Sequence, residues 1–207
     1  MIGCTGTFPQ SPSSDEDNRN IYLHGYVSSR LMRLGKEGTP VCIAATHVDG
    51  VVLALTPHDS SNNYRSVVIH GYAHLVTDEA EKLYAMESIT NNVVPQRAQN
   101  SRWPPTKTEL TGTGILRVEI ETASAKVRAG QPHSGRNDLK DEDVTRRTWT
   151  GVVPMYMQYG EPVADETNKV TKVPEYLARW VRKENVRMKD QAVKAMEEPA
   201  KKAKQAC

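Results

Sequence analysis

The chain has no apolar run long enough to cross a bilayer. It also has no basic-then-apolar stretch at its start, so neither a membrane anchor nor an export signal is expected. Charge of one sign is equally scarce. The 27 Lys and Arg face 25 Asp and Glu, a formal net charge of +2 in 207 residues. Charge therefore gives no reason to expect nucleic acid or an anionic membrane as partner. Cysteine is limited to Cys4, Cys42 and Cys207, far apart and without metal-ligand spacing. A reduced, cytoplasmic setting follows, with Cys42 expected in the core. The terminal KKAKQAC lacks the form of a prenylation signal, because Cys207 is the last residue. No metal motif, nucleophile elbow, Walker loop or dinucleotide fingerprint appears, so no catalytic residue and no metal ligand is nominated. Any chemistry has to come from a cofactor. With 38% hydrophobic residues, what remains is a soluble globular chain, one domain with appendages.

The stretch that organises the rest is NIYLHGYVSSRLMRL, Asn20–Leu34. Ile21, Tyr22 and Leu23 are a strand-type run ended by Gly25, and Ser28 or Ser29 stands where a helix N-cap belongs, ahead of Leu31, Met32 and Leu34. Two readings fit these residues. One is an ordinary capped helix with a surface arginine. The other is a phosphate cradle, in which two hydroxyls and the Arg30 guanidinium meet the free N–H groups of a helix start.

Before it, Met1–Phe8 reads as a strand without a lead-in, as if something upstream were missing, and Gln10–Arg19 as a polar loop. After it, Val41–Thr46 and Val51–Leu55 read as a hairpin around Val48-Asp49-Gly50. Tyr64–Val76 alternates cleanly, with Val67, Ile69, Gly71, Ala73 and Leu75 on one face and His70 and His74 on the surface side. Arg65 falls on the inward face, where a charge must be paired, solvated in a cleft, or bound to a ligand. Thr77–Asn92 is predicted as a helix capped by Thr77 or Asp78, burying Leu83, Met86, Ile89 and Val93. Thr106–Glu109 has capping-box form. Gly114–Val127 is a long strand whose apolar face, Leu116, Val118 and Ile120, turns polar toward Thr122, Ser124 and Lys126. Such a strand either lines a pocket or leaves the core. Ala129–Arg147 reads as a loop with a short helix near Asp138–Arg146, Thr148–Tyr159 as a strand, Pro162–Val173 as irregular, and Glu175–Ala206 as a helix becoming a solvated tail. The expected class is mainly β (β plus α), a small antiparallel barrel with helices at its ends.

Taken together, IYLHGYVSSRLMRL, VCIAATHVDGVVLAL, NYRSVVIHGYAHLV with EKL behind it, and the later ASAKVR and WTGVVP resemble the pyridoxamine 5′-phosphate oxidase-related family of flavin-nucleotide-binding proteins. The resemblance covers roughly residues 1–160, with 161–207 as a helical, partly mobile extension. It implies an FMN-binding split β-barrel with flanking helices, a homodimer with a flavin in each of two clefts at the interface, and a small-molecule substrate. It places His24, Gly25, Ser28, Ser29 and Arg30 at the phosphate-binding turn, and Tyr64, Arg65 and Ser66 on the strand approaching the flavin tail. Lys126 matches a late lysine near the cleft and Trp149 a packing or rim aromatic. The family's first helix and first strand have no counterpart ahead of Met1. Three functions are compatible with this resemblance: an FMN-dependent oxidoreductase, a flavin- or haem-binding module without turnover (a deazaflavin is the other variant in the family), and a paralogue that only dimerises.

Overall fold

In a computed structural model of the chain, residues 2–9, 19–35 and 38–197 are described. The elements are β1 (Gly3–Gly6), β2 (Asn20–Tyr26), α1 (Arg30–Leu34), β3 (Thr39–Leu53), β4 (Ser61–Leu75), α2 (Glu79–Val93), α3 (Lys107–Gly112), β5 (Thr113–Arg128), α4 (Glu142–Arg147), β6 (Gly151–Pro154) and α5 (Glu175–Lys194). The strands form one sheet in the order β1-β2-β5-β4-β3-β6, with antiparallel pairing where β1 meets β2, β2 meets β5 and β3 meets β6. The β plus α class is as expected. By contact density the chain divides into two compact units, residues up to 44 with 68–124, and residues 45–67 with those from 125 on.

In the first unit, β2 and β5 carry two cores back to back, because successive side chains of a strand face opposite ways. Ile21 lies opposite Val118 and Leu23 opposite Leu116. Their face packs with Ala73 and with Met32 of α1, which is 1% exposed. The other face carries Tyr22 and Ile115 against Cys4, Ala85 and Ile89 of α2 and its surroundings, with Tyr84 and Met86 packed alongside. Tyr84 and Met86 of this helix are thus packing residues. Where β4 crosses β5, a Cβ on Gly71 would lie 2.0 Å from the Glu119 carbonyl oxygen, so only glycine fits there.

The inward stripe of α2 differs from the predicted one. Asp78 caps the helix, accepting from the Glu81 N–H at 2.7 Å, but the buried positions are Glu81, Ala85 and Ile89, while Val93 is exposed. Glu81 turns inward because it has partners there. The Tyr22 hydroxyl donates to its Oε1 at 2.9 Å, and Arg117 Nη1 donates to the same carboxylate at 3.2 Å. The capping box of α3 forms as predicted, with Glu109 reaching back to the Thr106 N–H. Cys42 is corrected: it is exposed, because its neighbours Val41 and Ile43 take the inward face of β3, and the buried cysteine is Cys4.

The predicted hairpin at Val48-Asp49-Gly50 is also corrected. β3 runs unbroken through it, and Gly50 lies opposite Pro154 of β6. Asp49 is buried as the partner of Arg65, and a Cβ on Gly50 would meet Val152 and the Val153 carbonyl at 3.0 and 3.1 Å. The glycine serves a close strand contact here, and the reversal comes later. In the turn that joins β3 to β4, Ser60 Oγ accepts from the Ala54 N–H and donates to the Thr56 carbonyl.

In the second unit the buried Asn63 ties three segments together. Its amide donates to the Gly130 and Ala195 carbonyls at 3.1 and 2.9 Å, and its oxygen accepts from Arg128 at 2.7 Å. Asn63→Ala is expected to cost about 1–3 kcal/mol, the range for leaving buried polar groups without partners. A urea titration of both proteins measures it.

β6 is shorter than the predicted strand, and the segment between it and α5 has no regular structure. That segment is fastened where the Tyr159 ring packs at a tilt against Trp180, centroids 4.6 Å apart, and the Tyr159 backbone exchanges two hydrogen bonds with the Asn185 side chain. The polar loop at 10–18 and the tail beyond 197 lie outside the described residues. Among those described, no helix is long and apolar enough to cross a membrane, and no group of His, Cys, Asp and Glu could hold a metal ion.

Candidate functional site

The turn after β2 is built by backbone hydrogen bonds. The Val27 N–H donates to Gly112 at 3.1 Å and the Ser29 N–H to Tyr26 at 2.9 Å, and the Arg33 N–H closes the first helical turn on the Ser29 carbonyl at 3.1 Å. Met32 pins the helix from beneath. Ser29 occupies the N-cap position with extended backbone, φ −65° and ψ 152°, yet its side chain makes no capping bond. Its hydroxyl oxygen is buried and has no hydrogen-bond partner. Ser28 and Arg30 are exposed on either side.

A capping serine would spend its hydroxyl on the N2 or N3 amide. Here the hydroxyl is held out of solvent with nothing to bond, a costly state that a ligand oxygen would relieve. With only five residues, α1 adds little macrodipole, so any attraction for an anion would have to come from the Arg30 charge, the two hydroxyls and the first-turn N–H groups, which have no intrahelical acceptor.

His24 goes elsewhere. It shares the β2 face of Tyr22, opposite Ile115, while α1 packs on the other face. Its ring lines a groove of about 330 Å³ with Met86, Ile89, Val93 and Arg97. His24 Nδ1 lies 3.2 Å from the Ile2 carbonyl. A carbonyl can only accept, so in this hydrogen bond Nδ1 is the donor, the tautomer that leaves the Nε2 lone pair available. Gly25, the next residue, lies opposite Gly114 of β5.

The other nominated residues cluster in the second unit. Lys126 Nζ stands 6.0 Å over the Tyr64 ring, and the Ser66 hydroxyl donates to the Lys126 carbonyl at 3.3 Å. Arg65 has the first of its three possible fates: it is paired. Nε and Nη2 donate to the two Asp49 oxygens at 2.8 and 2.9 Å, and these bonds hold its guanidinium above the ordinary arginine range. Asp49 is the residue that sequence reasoning missed. The available signal was Arg65 itself, since an inward arginine requires a carboxylate nearby. The polar end of β5 is exposed from Glu119 through Val127, and Trp149 is exposed as well.

The model of the pyridoxamine 5′-phosphate oxidase family matches residues 8–127, more than half of the chain. Among solved structures, the flavocytochrome Anf3 of Azotobacter vinelandii is 28% identical, with 80% of this chain and 74% of that one covered and a TM-score of 0.69. The FAD and haem binding protein of Mycobacterium smegmatis is 30% identical, with 78% and 77% covered and the same TM-score, 0.69. No curated protein matches. The six-stranded sheet with flanking helices is thus the split-barrel fold, and the chain belongs to the pyridoxamine 5′-phosphate oxidase family of flavin-binding proteins.

Proposed function

We propose that the protein binds a flavin nucleotide, FMN in its simplest form, with the phosphate at the Tyr26–Arg30 turn, and acts as an oxidoreductase on a small molecule. The observation that carries this reading is the buried, unpartnered Ser29 hydroxyl. A rotation about χ1 that brings it to the surface would let it donate to a phosphate oxygen while Ser28 and the Arg30 guanidinium close on the dianion from the solvent side. The bound flavin would supply the hydride or electron chemistry. The chain's contribution is to fix the phosphate and so orient the ring system attached to it. Within this proposal Gly25 leads the chain into the turn. In the second unit Arg65 is committed to Asp49.

The purified protein is expected to be yellow, and mass analysis of the released cofactor distinguishes FMN from FAD. Ser29→Ala is expected to weaken flavin binding several-fold while leaving the unfolding midpoint unchanged or slightly raised, since no hydrogen bond is lost from the protein itself. A clear fall in stability with unchanged flavin affinity would restore the capping role. Reduction of the bound flavin by a nicotinamide donor supports the enzyme over a module without turnover.

A second reading concerns haem, which the Mycobacterium smegmatis relative binds alongside FAD. The His24 groove favours it: an imidazole with Nε2 left as a lone-pair nitrogen, apolar walls from Met86, Ile89 and Val93, and Arg97 for a carboxylate. A Soret band that disappears in His24→Ala, with the flavin retained, would establish two cofactors.

A homodimer is the assembly we propose. β1 and β6 end the strand order, and a sheet edge without a neighbour invites pairing. Val127 and Trp149 are both 65% exposed, an unusual position for such large apolar side chains. Light scattering at micromolar concentration should return twice the chain mass. A well-folded monomer would count against the shared site.

A further inference from the structure

A cleft of about 380 Å³ in the second unit is lined by Asp49 and Arg65 from the sheet, Met155 and Met157 from the segment after β6, and Arg187 and Met188 from α5. None of its α5 residues was nominated from the sequence, where Glu175–Ala206 reads as a helix becoming a solvated tail. The two arginines are presented in the same manner. Arg65 gives its Nε and Nη2 to Asp49. Arg187 gives its Nε to Glu184 at 2.8 Å, with Nη2 2.7 Å from the same oxygen. Each guanidinium is thus fixed along one edge by a carboxylate, and among the described residues Nη1 has no acceptor on either. The forks are close enough to repel one another, which opposes the bonding that otherwise raises Arg187 above the ordinary range.

Each arginine charge is already offset by its own carboxylate, but the outward Nη1 donor of each guanidinium stays open to an acceptor in the cleft. Both side chains are already locked by their carboxylates, so a ligand has little arginine rotamer freedom left to remove. Around them the wall changes character. Three methionines provide an adaptable, polarisable apolar surface that accepts a ring or chain of variable shape. Donors at one end and thioethers at the other describe a molecule with two distinct ends.

We infer that this cleft is a binding site for a small organic oxyanion, a carboxylate or phosphate head carried on an aromatic or aliphatic body. The head bridges the free ends of Arg65 and Arg187, and the body lies on Met155, Met157 and Met188. None of its residues belongs to the turn at Ser29, and a ligand there needs no flavin.

Fluorescence titration with 2-naphthoate, on the protein as purified, tests it against 2-naphthamide, which has the same body without the charge. The parent is expected to bind the naphthoate at least tenfold more tightly. Arg187→Gln keeps the helix surface polar and leaves the buried Asp49 pair untouched. It should weaken naphthoate about ten- to a hundredfold, the worth of a charged hydrogen bond, with the amide and the unfolding midpoint unchanged. Displacement by phenyl phosphate then identifies the preferred head, and either order of affinity is consistent with the class. Equal affinity for acid and amide, or naphthoate binding indifferent to Arg187→Gln, overturns the assignment and leaves the two arginines as structural ion pairs.

Discussion

Arg30→Ala is expected to weaken FMN binding about ten- to a hundredfold and to leave riboflavin binding unchanged. The size follows from the interaction removed. A hydrogen bond to a charged group is worth about 1.5–3 kcal/mol, and each 1.4 kcal/mol is tenfold in affinity. The direction follows from exposure. Arg30 is solvent-exposed and heads a helix of only five residues, so its loss should hardly disturb the fold. Riboflavin is the control because it has the ring system and lacks the phosphate. Titrating both flavins against both proteins by flavin fluorescence separates the cases. Equal losses for FMN and riboflavin would mean that Arg30 supports the ring or the fold, and the phosphate assignment would have to be dropped. Ser29→Ala complements it, since that residue contributes a neutral donor and a smaller effect.

The largest stability effect is expected at Glu81. Its carboxylate is almost wholly buried and accepts from the Tyr22 hydroxyl and from Arg117. Burial, and then the bond and charge of Glu81, push the Tyr22 phenol well above its ordinary value, so it stays a neutral donor at any working pH. Glu81→Leu removes the acceptor and leaves a fully buried hydroxyl unpaired beside an arginine that has lost one of its carboxylates. Truncating one member of a buried charged network typically costs about 3–5 kcal/mol. The lower end applies here, because Arg117 is a third exposed and keeps Glu119 at 3.0 Å. The double variant Tyr22→Phe with Glu81→Leu should recover part of the loss, since two apolar replacements leave no orphaned donor. Urea titrations of the parent, both single variants and the double variant measure this coupling. Strict additivity would show that Tyr22 and Glu81 do not interact energetically.

These two residues also show how far a sequence reading reaches. The capping box at Thr106 and the alternation of β4 were legible because each depends on neighbours in the chain. Glu81 was not. A periodicity count assigns a glutamate to the solvent side, and only the arrival of Tyr22 and Arg117 from β2 and β5 turns it inward. Asp49-Gly50 failed for the same reason. Asp-Gly between apolar runs is a sound local signal for a hairpin, and it was overruled by a distant arginine needing a carboxylate and a neighbouring strand needing room. Cys42 was placed inside by residue type, whereas the pleat of β3 gives the inner positions to Val41 and Ile43. At the candidate site, Ser29 and Arg30 were recognisable in the sequence as cap or cradle. That the Ser29 hydroxyl makes no capping bond and has no partner becomes visible only once the turn is folded.

The Asn63 clasp bears on how the chain breathes. Its amide bridges Gly130 to Ala195, positions far apart along the chain, and the Gly130 N–H itself donates to the Ala195 carbonyl at 2.8 Å. The last turn of α5 therefore cannot fray alone, because releasing it also frees the start of the loop after β5 and strands the Asn63 side chain. Amide hydrogen exchange should show the Gly130 N–H and the last-turn amides of α5 slowing and quickening as a set, with one opening free energy. In Asn63→Ala the Gly130 N–H bond to Ala195 still joins the two segments, so that set would open together at a lower free energy while the middle of α5 kept its protection.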